Sequence, residues 1–191
     1  MKKRLPRLAD DVLPKLPLQI RSLSQADAPA LLDYYRHLSL GDRNAHFGHP
    51  LSDALLARYV DQLDFLSDGH FAALGAASLF IGVGHCMVVG GQGLLSIHVV
   101  RGYRRRGLGS GLRRQLIGFG RARQLDWVRA YFSRHDDIAT MLARGGGMEI
   151  QIEYDRFYAE LSLARGPAAR GARPQSTHGA AVARPTSAAP A

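Results

Sequence analysis

A chain of 191 residues with 46% hydrophobic and 21% charged side chains has the length of one domain with tails and is too apolar to be disordered throughout. Its single cysteine, Cys86, excludes an intramolecular disulfide and a cysteine-rich zinc cluster, and fits a reducing, cytoplasmic setting. The formal charge of +9 sits mostly at the ends: residues 1–17 carry +3 and residues 164–191 carry +4, leaving the body, 18–163, at +2.

The basic N-terminal extension is broken by Pro6, Pro14, Pro17 and the pair Asp10-Asp11, so it offers no apolar stretch of the kind a secretory signal needs. Leu18 to Leu23 alternates and predicts a first strand. Ser24 with Asp27 three residues on reads as a capping-box start, and Leu31, Leu32, Tyr35 and Leu38 then share one face of a helix. SLGDRNAHFGHP, from Ser39 to Pro50, reads as a polar, irregular loop. Ser52 caps a second helix, with Leu55, Leu56, Tyr59, Val60 and Leu63 as its apolar face.

From Gly69 to Val100 there is no Asp, Glu, Lys or Arg. An uncharged run longer than about 18 residues is formally a membrane-span candidate. Here Gly75, Gly82, Gly84, Gly90, Gly91, Gly93 and His85 interrupt it, and GGQG at 90–93 reads as a turn. Three strands buried on both faces, near 70–76, 79–89 and 94–100, account for the run without a span.

Gly107 to Gln124 predicts a helix with Leu108, Leu112, Leu116 and Phe119 inward and Arg113, Arg114, Arg121 and Arg123 outward. Asp126 to Phe132 is a strand, and His135 to Arg144 a short helix stopped by Gly145-Gly146-Gly147. Met148 to Tyr154 and Phe157 to Leu163 are two strands joined around Asp155. The resulting order, β-α-α-β-β-β-α-β-α-β-β, specifies an α/β fold with a mixed sheet. The last segment, 164–191, is rich in Ala, Arg, Pro and Gly and has too few large apolar groups to offset its ordering entropy, so it reads as a disordered tail.

One segment carries chemistry. RRRGLGSGL, Arg104 to Leu112, follows a buried strand and opens a helix. Glycines there let the backbone approach a ligand, the first amides of a helix are free donors, and Arg104, Arg105 and Arg106 add positive charge. That combination fits a pyrophosphate. It is not a P-loop, which ends Gly-Lys-Ser/Thr, and Gly107, Gly109 and Gly111 place the third glycine one residue early for a dinucleotide fingerprint.

Arg104-x-x-Gly107-x-Gly109 resembles the Arg/Gln-x-x-Gly-x-Gly/Ala signature of the GCN5-related N-acetyltransferases, and IHVVRGYRRRGLGSGL looks like that family's acetyl-CoA segment. The element order over 18–163 is similar too. HDDIATMLARGGGM resembles the family's later Asn-x-x-Ala…Gly-Phe helix, and YYRHLSLGDRNAHF is similar to a stretch of bacterial protein-lysine acetyltransferase domains. The resemblance implies the acyl-CoA N-acyltransferase fold, acetyl-CoA as co-substrate, no metal, and a primary amine, on a small molecule or a protein lysine, as acceptor. It implies that Arg104, Arg105, Arg106, Gly107, Leu108, Gly109, Ser110 and Asp136 lie on the cofactor side. The strand around Ile97 and Val99 would then pair with the pantetheine arm and polarise the thioester oxygen.

The chain departs from the family's pattern at its proton-transfer positions. Leu94 stands where many relatives place a catalytic Glu, Ala143 where many have a Tyr, and Asp136 or Asp137 where the Asn is usual. The only glutamates, Glu149, Glu153 and Glu160, come after the cofactor strand. Strand alternation puts Ser96 and His98 on the face of Leu94, which makes His98 a candidate base and Ser96 its companion. Asp42, His46 and His49, between the first two helices, are candidates to bind or deprotonate a cationic amine. Cys86, Trp127 and Met141 read as core. Two other readings stand beside the enzyme: a CoA-binding sensor or regulator without turnover, and a basic RNA- or ribosome-associated protein that makes its nucleic-acid contacts through the tails.

Overall fold

The computed structural model describes residues 19–132, 143–153 and 156–163. The N-terminal extension, most of the helix expected over 135–144, and the tail lie outside the described residues. Seven strands form one sheet: β1 (Gln19–Ser22), β2 (Gly69–Leu74), β3 (Phe80–Val89), β4 (Gln92–Val99), β5 (Trp127–Phe132), β6 (Glu149–Glu153) and β7 (Arg156–Ser162). Their spatial order is β1-β2-β3-β4-β5-β7-β6. Every neighbouring pair is antiparallel except β4–β5, which is parallel. The uncharged run thus becomes β2, β3 and β4, and no helix among the described residues is long and apolar enough to cross a membrane. Gly90 and Gly91, with φ of +57° and +78°, close the β3–β4 hairpin through a two-residue turn that needs positive φ at both positions.

Helices cover both faces of the sheet. α1 (Ala28–His37), α2 (Leu40–Phe47) and α3 (Asp53–Asp61) bury Leu31, Tyr35, Phe47, Leu56 and Val60 against Ala72 and Val83. The opposite face receives α4 (Leu108–Ala122), whose Leu112 and Leu116 sit over Gly82 and Gly84. Leu116 also joins Cys86, Leu95, Val128 and Ala159 in a second core cluster. Cys86 is fully buried, and burial pushes its thiol up to about 12, so it is an inert core residue, as the sequence predicts. The Ser24–Asp27 capping box forms as expected, and the Arg21 guanidinium holds the Asp27 carboxyl down to about 2.

Two expectations are corrected. The stretch read as an irregular loop contains α2. Ser39 Oγ accepts the Asp42 amide at 3.0 Å, Gly48 ends the helix, and the buried Arg43 bonds Leu51 O, Asp53 Oδ1 and Arg36 O, tying α2 to both neighbouring helices. Asp42 and His46 are therefore helical, and only His49 follows in the exposed connection. Arg113, expected outward, is 8% exposed and donates to Gly145 O at 3.0 Å. A Cβ on Gly146 would stand 2.7 Å from Arg113 Nε, so the glycine run makes room for the guanidinium.

The close approach of α4 and β5 to β4 sets a testable contrast between two glycines. A Cβ at Gly93 would lie 2.8 Å from Cys86 Sγ and 2.9 Å from Val128 Cγ1, so Gly93→Ala should cost about 1–3 kcal/mol by overpacking. At Gly118, exposed on α4 with nothing within 4 Å, Gly118→Ala should stabilise by about 0.5–1 kcal/mol. Urea denaturation midpoints of the two variants check both signs.

Candidate functional site

β4 has strand partners on both sides for only part of its length. Its ladder with β3 runs without interruption from Val89↔Gln92 to Gly82↔Val99, but its parallel register with β5 stops at Leu95↔Ala130. The Val100 amide donates to Ile81 O at 3.0 Å. By strand alternation, Ser96 and His98 also address β3, while the backbone groups of Ile97 and Val99 face the side that β5 has left. The opening is a slot through the sheet, with Ala45 and His46 of α2 at one mouth and Arg113, Ala143 and Met148 at the other. An extended ligand with amide groups fits such an open strand edge.

The loop after β4 ends at the mouth of α4. Arg105 and Gly107 adopt positive φ, +61° and +80°, a conformation that turns successive amides toward one point. α4 starts with no side-chain cap and no acidic residue in its first turn, and its first backbone bond is Gly111 N to Gly107 O. The amides of Leu108, Gly109 and Ser110 thus have no intrahelical acceptor, and Arg105 and Arg106 stand exposed beside them. Free donors, positive charge and absent carboxylates fit a pyrophosphate. Arg104 points elsewhere. Its Nε donates to Val99 O and its Nη2 to Asp42 Oδ1, both at 2.8 Å, so the side chain braces the loop against β4 and α2.

The α2 face of β4 carries a buried polar cluster. The unbroken β3 ladder keeps Leu94, Ser96 and His98 on one face, and Ser96 lines the slot. His98 does not line it: it is 6% exposed, and its Nδ1 lies 2.6 Å from Tyr34 OH. Burial raises the Tyr34 phenol, which stays protonated and also lies 3.4 Å from His98 O, while His98 Nε2 faces Asp42 Oδ1 at 3.6 Å. That distance is beyond a hydrogen bond, and the buried Nε2 has no other partner. Burial lowers the His98 pKa and Arg104 lowers it further, while Asp42 raises it.

His46 faces the slot from α2. Its ring stacks on Tyr35 at a centroid distance of 5.5 Å, and its Nε2 is 3.4 Å from Tyr35 OH. Among the described residues its Nδ1 has no hydrogen-bond partner. Desolvation holds His46 down to about 3, so it is an uncharged acceptor at neutral pH. His49 is exposed and not among the slot's lining residues, and Asp136 lies outside the described residues. Ala143 is 4% exposed and lines the slot opposite His46. No group of His, Cys, Asp or Glu among the described residues has the arrangement to hold a metal.

α2 was not read from the sequence, and strand alternation left open whether His98 packs within the sheet or reaches the site. The signal for α2 was present as Ser39-x-x-Asp42 followed by Gly48, a cap pair hidden by the poor helix formers between them. The seal over His98 comes from Tyr34 and Asp42, which only the tertiary fold brings to β4.

Solved structures with this architecture were found at low sequence identity. The GNAT domain of PAT from S. lividans is 19% identical, with a TM-score of 0.64 over 75% of this chain and 89% of that one. A GNAT superfamily phosphinothricin acetyltransferase from Sinorhizobium meliloti, solved with AcCoA, is 18% identical, with a TM-score of 0.65 over 84% and 94%. A ribosomal-protein-alanine N-acetyltransferase from Brucella melitensis is 19% identical, with a TM-score of 0.62 over 76% and 100%. No family model and no curated protein matches the sequence. The chain has the GCN5-related N-acetyltransferase fold.

Three histidines make the fold sensitive to acid. His46, His85 and His98 are held neutral below their ordinary value of 6.5, chiefly by burial. Below that pH the unfolded chain takes up protons that the folded chain resists. Stability should therefore be full above about pH 7 and fall as the pH drops, by up to about 1.4 kcal/mol per unit for each group. Urea midpoints at pH 7.5 and 5.0 measure the drop, and His98→Gln should make it shallower.

Proposed function

We propose that this protein is an acetyl-CoA-dependent N-acetyltransferase that acts on a primary amine, of a small molecule or a protein lysine. The observation that carries this reading is the open edge of β4 at Ile97 and Val99 running directly into the uncapped, basic N-terminus of α4. The acetyl-CoA found with the Sinorhizobium structure of this fold supports it. Acetyl-CoA supplies an acetyl thioester that an amine attacks directly. The amides of Arg105 to Ser110, with the Arg105 and Arg106 guanidinium groups, hold the anionic end, and the backbone groups of Ile97 and the amide of Val99, whose carbonyl is taken by Arg104, align the amide-bearing arm in the slot.

The acceptor enters from the α2 mouth, which His46 and Ser96 line; the partly exposed Asp42 carboxylate sits one turn before His46 on α2, outside that lining. Asp42 favours the approach of a cationic amine, which attacks only after losing one proton to solvent. As the N–C bond forms and the C–S bond breaks, His46 Nδ1 receives a second proton from the nitrogen and the departing thiolate takes it up. A base of low pKa suffices because the attacking nitrogen becomes far more acidic as its bond to carbon forms. His98 acts behind this surface, with Tyr34 and Asp42 on either side of its ring, and Ser96 is a wall residue within reach of the acceptor. A CoA-binding module without turnover is the second reading, favoured by Leu94 and Ala143 at the family's Glu and Tyr positions and by the sealed His98.

The loop assignment is tested by ligand-induced stabilisation. Acetyl-CoA should raise the melting temperature by mass action, stabilising the fold by about 2.7 kcal/mol at a hundredfold excess over Kd. Gly109→Asp places a carboxylate where the anion would sit while suiting a first-turn helix position, so the variant should fold and lose that shift. An unchanged shift would remove the loop from the site. A broad amine screen with a free-thiol readout then separates enzyme from non-catalytic binder.

A further inference from the structure

Charge is unevenly divided within the folded body. Residues 101–123, from just after β4 to just after α4, contain eight arginines and no acid, a net of +8. The body from 18 to 163 is +2 as a whole, so its remainder carries −6. Two of the eight are engaged inside the fold: Arg104 on Asp42 and Val99 O, and Arg113 on Gly145 O. The other six, Arg101, Arg105, Arg106, Arg114, Arg121 and Arg123, are exposed. None of them forms an ion pair among the described residues.

α4 sets their arrangement. Arg114, Gly118 and Arg121 follow at steps of four and three residues, so they share one exposed face of the helix. A Cβ at Gly118 meets nothing within 4 Å, which leaves the space between the two arginines open to a ligand lying against the helix. Arg105 and Arg106 stand before the first turn and Arg123 follows the last. Cations therefore line the helix from end to end, over about 24 Å at 1.5 Å per residue. The helix dipole explains little of this. It favours cations in the last turn, at Arg121, and disfavours them at the first, where no acid is present. Burial lowers the Arg113 pKa and Arg114 lowers it further, the effect of like charges held close.

The length of the ridge selects its occupant. A small anion in the nest at the start of α4 reaches only the first turn, and Arg114 and Arg121 lie further along. Neutralising them all takes a partner with repeated negative charge. Guanidinium forks match phosphate oxygens in pairs, and repeated phosphate is the chemistry of a nucleic-acid backbone. A lipid surface would need apolar groups to receive. The exposed positions within α4 are Arg114, Gln115, Gly118, Arg121 and Ala122, none of them large and apolar. A duplex groove admits a helix that is free on most sides, whereas Leu108, Leu112 and Leu116 bury α4 against the sheet. A single strand can follow the ridge, and single strands in a cell are mostly RNA.

We propose that the exposed ridge of α4, with the loop before it, docks single-stranded RNA through its phosphodiester backbone, without reading its bases. α4 lies on the face of the sheet opposite α2, so a docked strand leaves the α2 mouth of the slot free. An anion in the nest competes with one end of the strand only, at Arg105 and Arg106.

A fluorescein-labelled oligouridylate, titrated with the full chain across a series of salt concentrations, reads the affinity and its salt dependence. Each phosphate contact to a single strand contributes about 0.7 to the slope of log K against log salt. Arg114→Gln with Arg121→Gln should weaken binding by at least about tenfold at physiological salt and flatten the slope by about 1.4. Arg114→Lys with Arg121→Lys should keep the slope. Both pairs should melt with the wild type, because the side chains are exposed. Arg165→Gln, Arg170→Gln, Arg173→Gln and Arg184→Gln together should leave the loss caused by the α4 pair unchanged. If the four tail substitutions abolish binding and the α4 pair changes nothing, the tail carries the RNA and the ridge does not. The proposal fails equally if the wild type binds no oligouridylate at physiological salt. It also fails if polyglutamate or phosphatidylserine vesicles bind as tightly through the same arginines, which would make the ridge a site for acidic protein or for membrane. None of these readings requires acetyl transfer.

Discussion

Everything in the candidate site follows from one mismatch of strand lengths: β4 continues for four residues past the point at which β5 stops pairing with it. A strand edge inside a sheet is normally saturated, because unpaired buried amides and carbonyls are costly. Here β3 pairs with β4 along its whole length and holds it straight, so the unpaired side is presented as a rigid template. The same divergence makes a passage through the sheet, which gives the two faces, one under α4 and one under α2, access to a common point. A donor held on one side and an acceptor arriving from the other can meet there without either crossing the core.

The parts of this arrangement written in local pattern were legible in the sequence. The strand–loop–helix segment from Ile97 to Leu112, the hairpin at Gly90-Gly91 and the capping box at Ser24 each depend on neighbours in the chain. The parity of Leu94, Ser96 and His98 was also available, because the β3 ladder contains no bulge along them. What parity could not reveal is depth. Whether His98 meets the slot or is sealed behind it depends on Tyr34, 64 residues away, and on Asp42. The same limit hid Arg113, whose place on the polar side of a helical wheel says nothing of Gly145, 32 residues on, whose carbonyl accepts its hydrogen bond.

Histidine placement shows the limit most sharply. His70 and His85 lie in an uncharged run and face each other across β2 and β3, where periodicity reads them as ordinary strand residues. Three further rings then complete their surroundings, Tyr35 on α1, His46 on α2 and Phe65 in the connection before β2. A polar network of this kind is worth its burial only when every member is satisfied, so it imposes one arrangement on the core. The acid sensitivity of the fold is one result of burying these rings in the neutral state.

The Arg104–Asp42 contact joins the two halves of the site mechanically. Arg104 belongs to the loop that leads into α4, and Asp42 belongs to the first turn of α2, beside the other mouth of the slot. An anion on the loop competes with Asp42 for the guanidinium, and a cation near α2 competes with Arg104 for the carboxylate. Each ligand therefore alters the free energy that the other finds on arrival, and by thermodynamic linkage the two effects are equal in size. A single exposed ion pair is weak, but at 2.8 Å and with both groups half-buried it is placed to make the order of arrival matter.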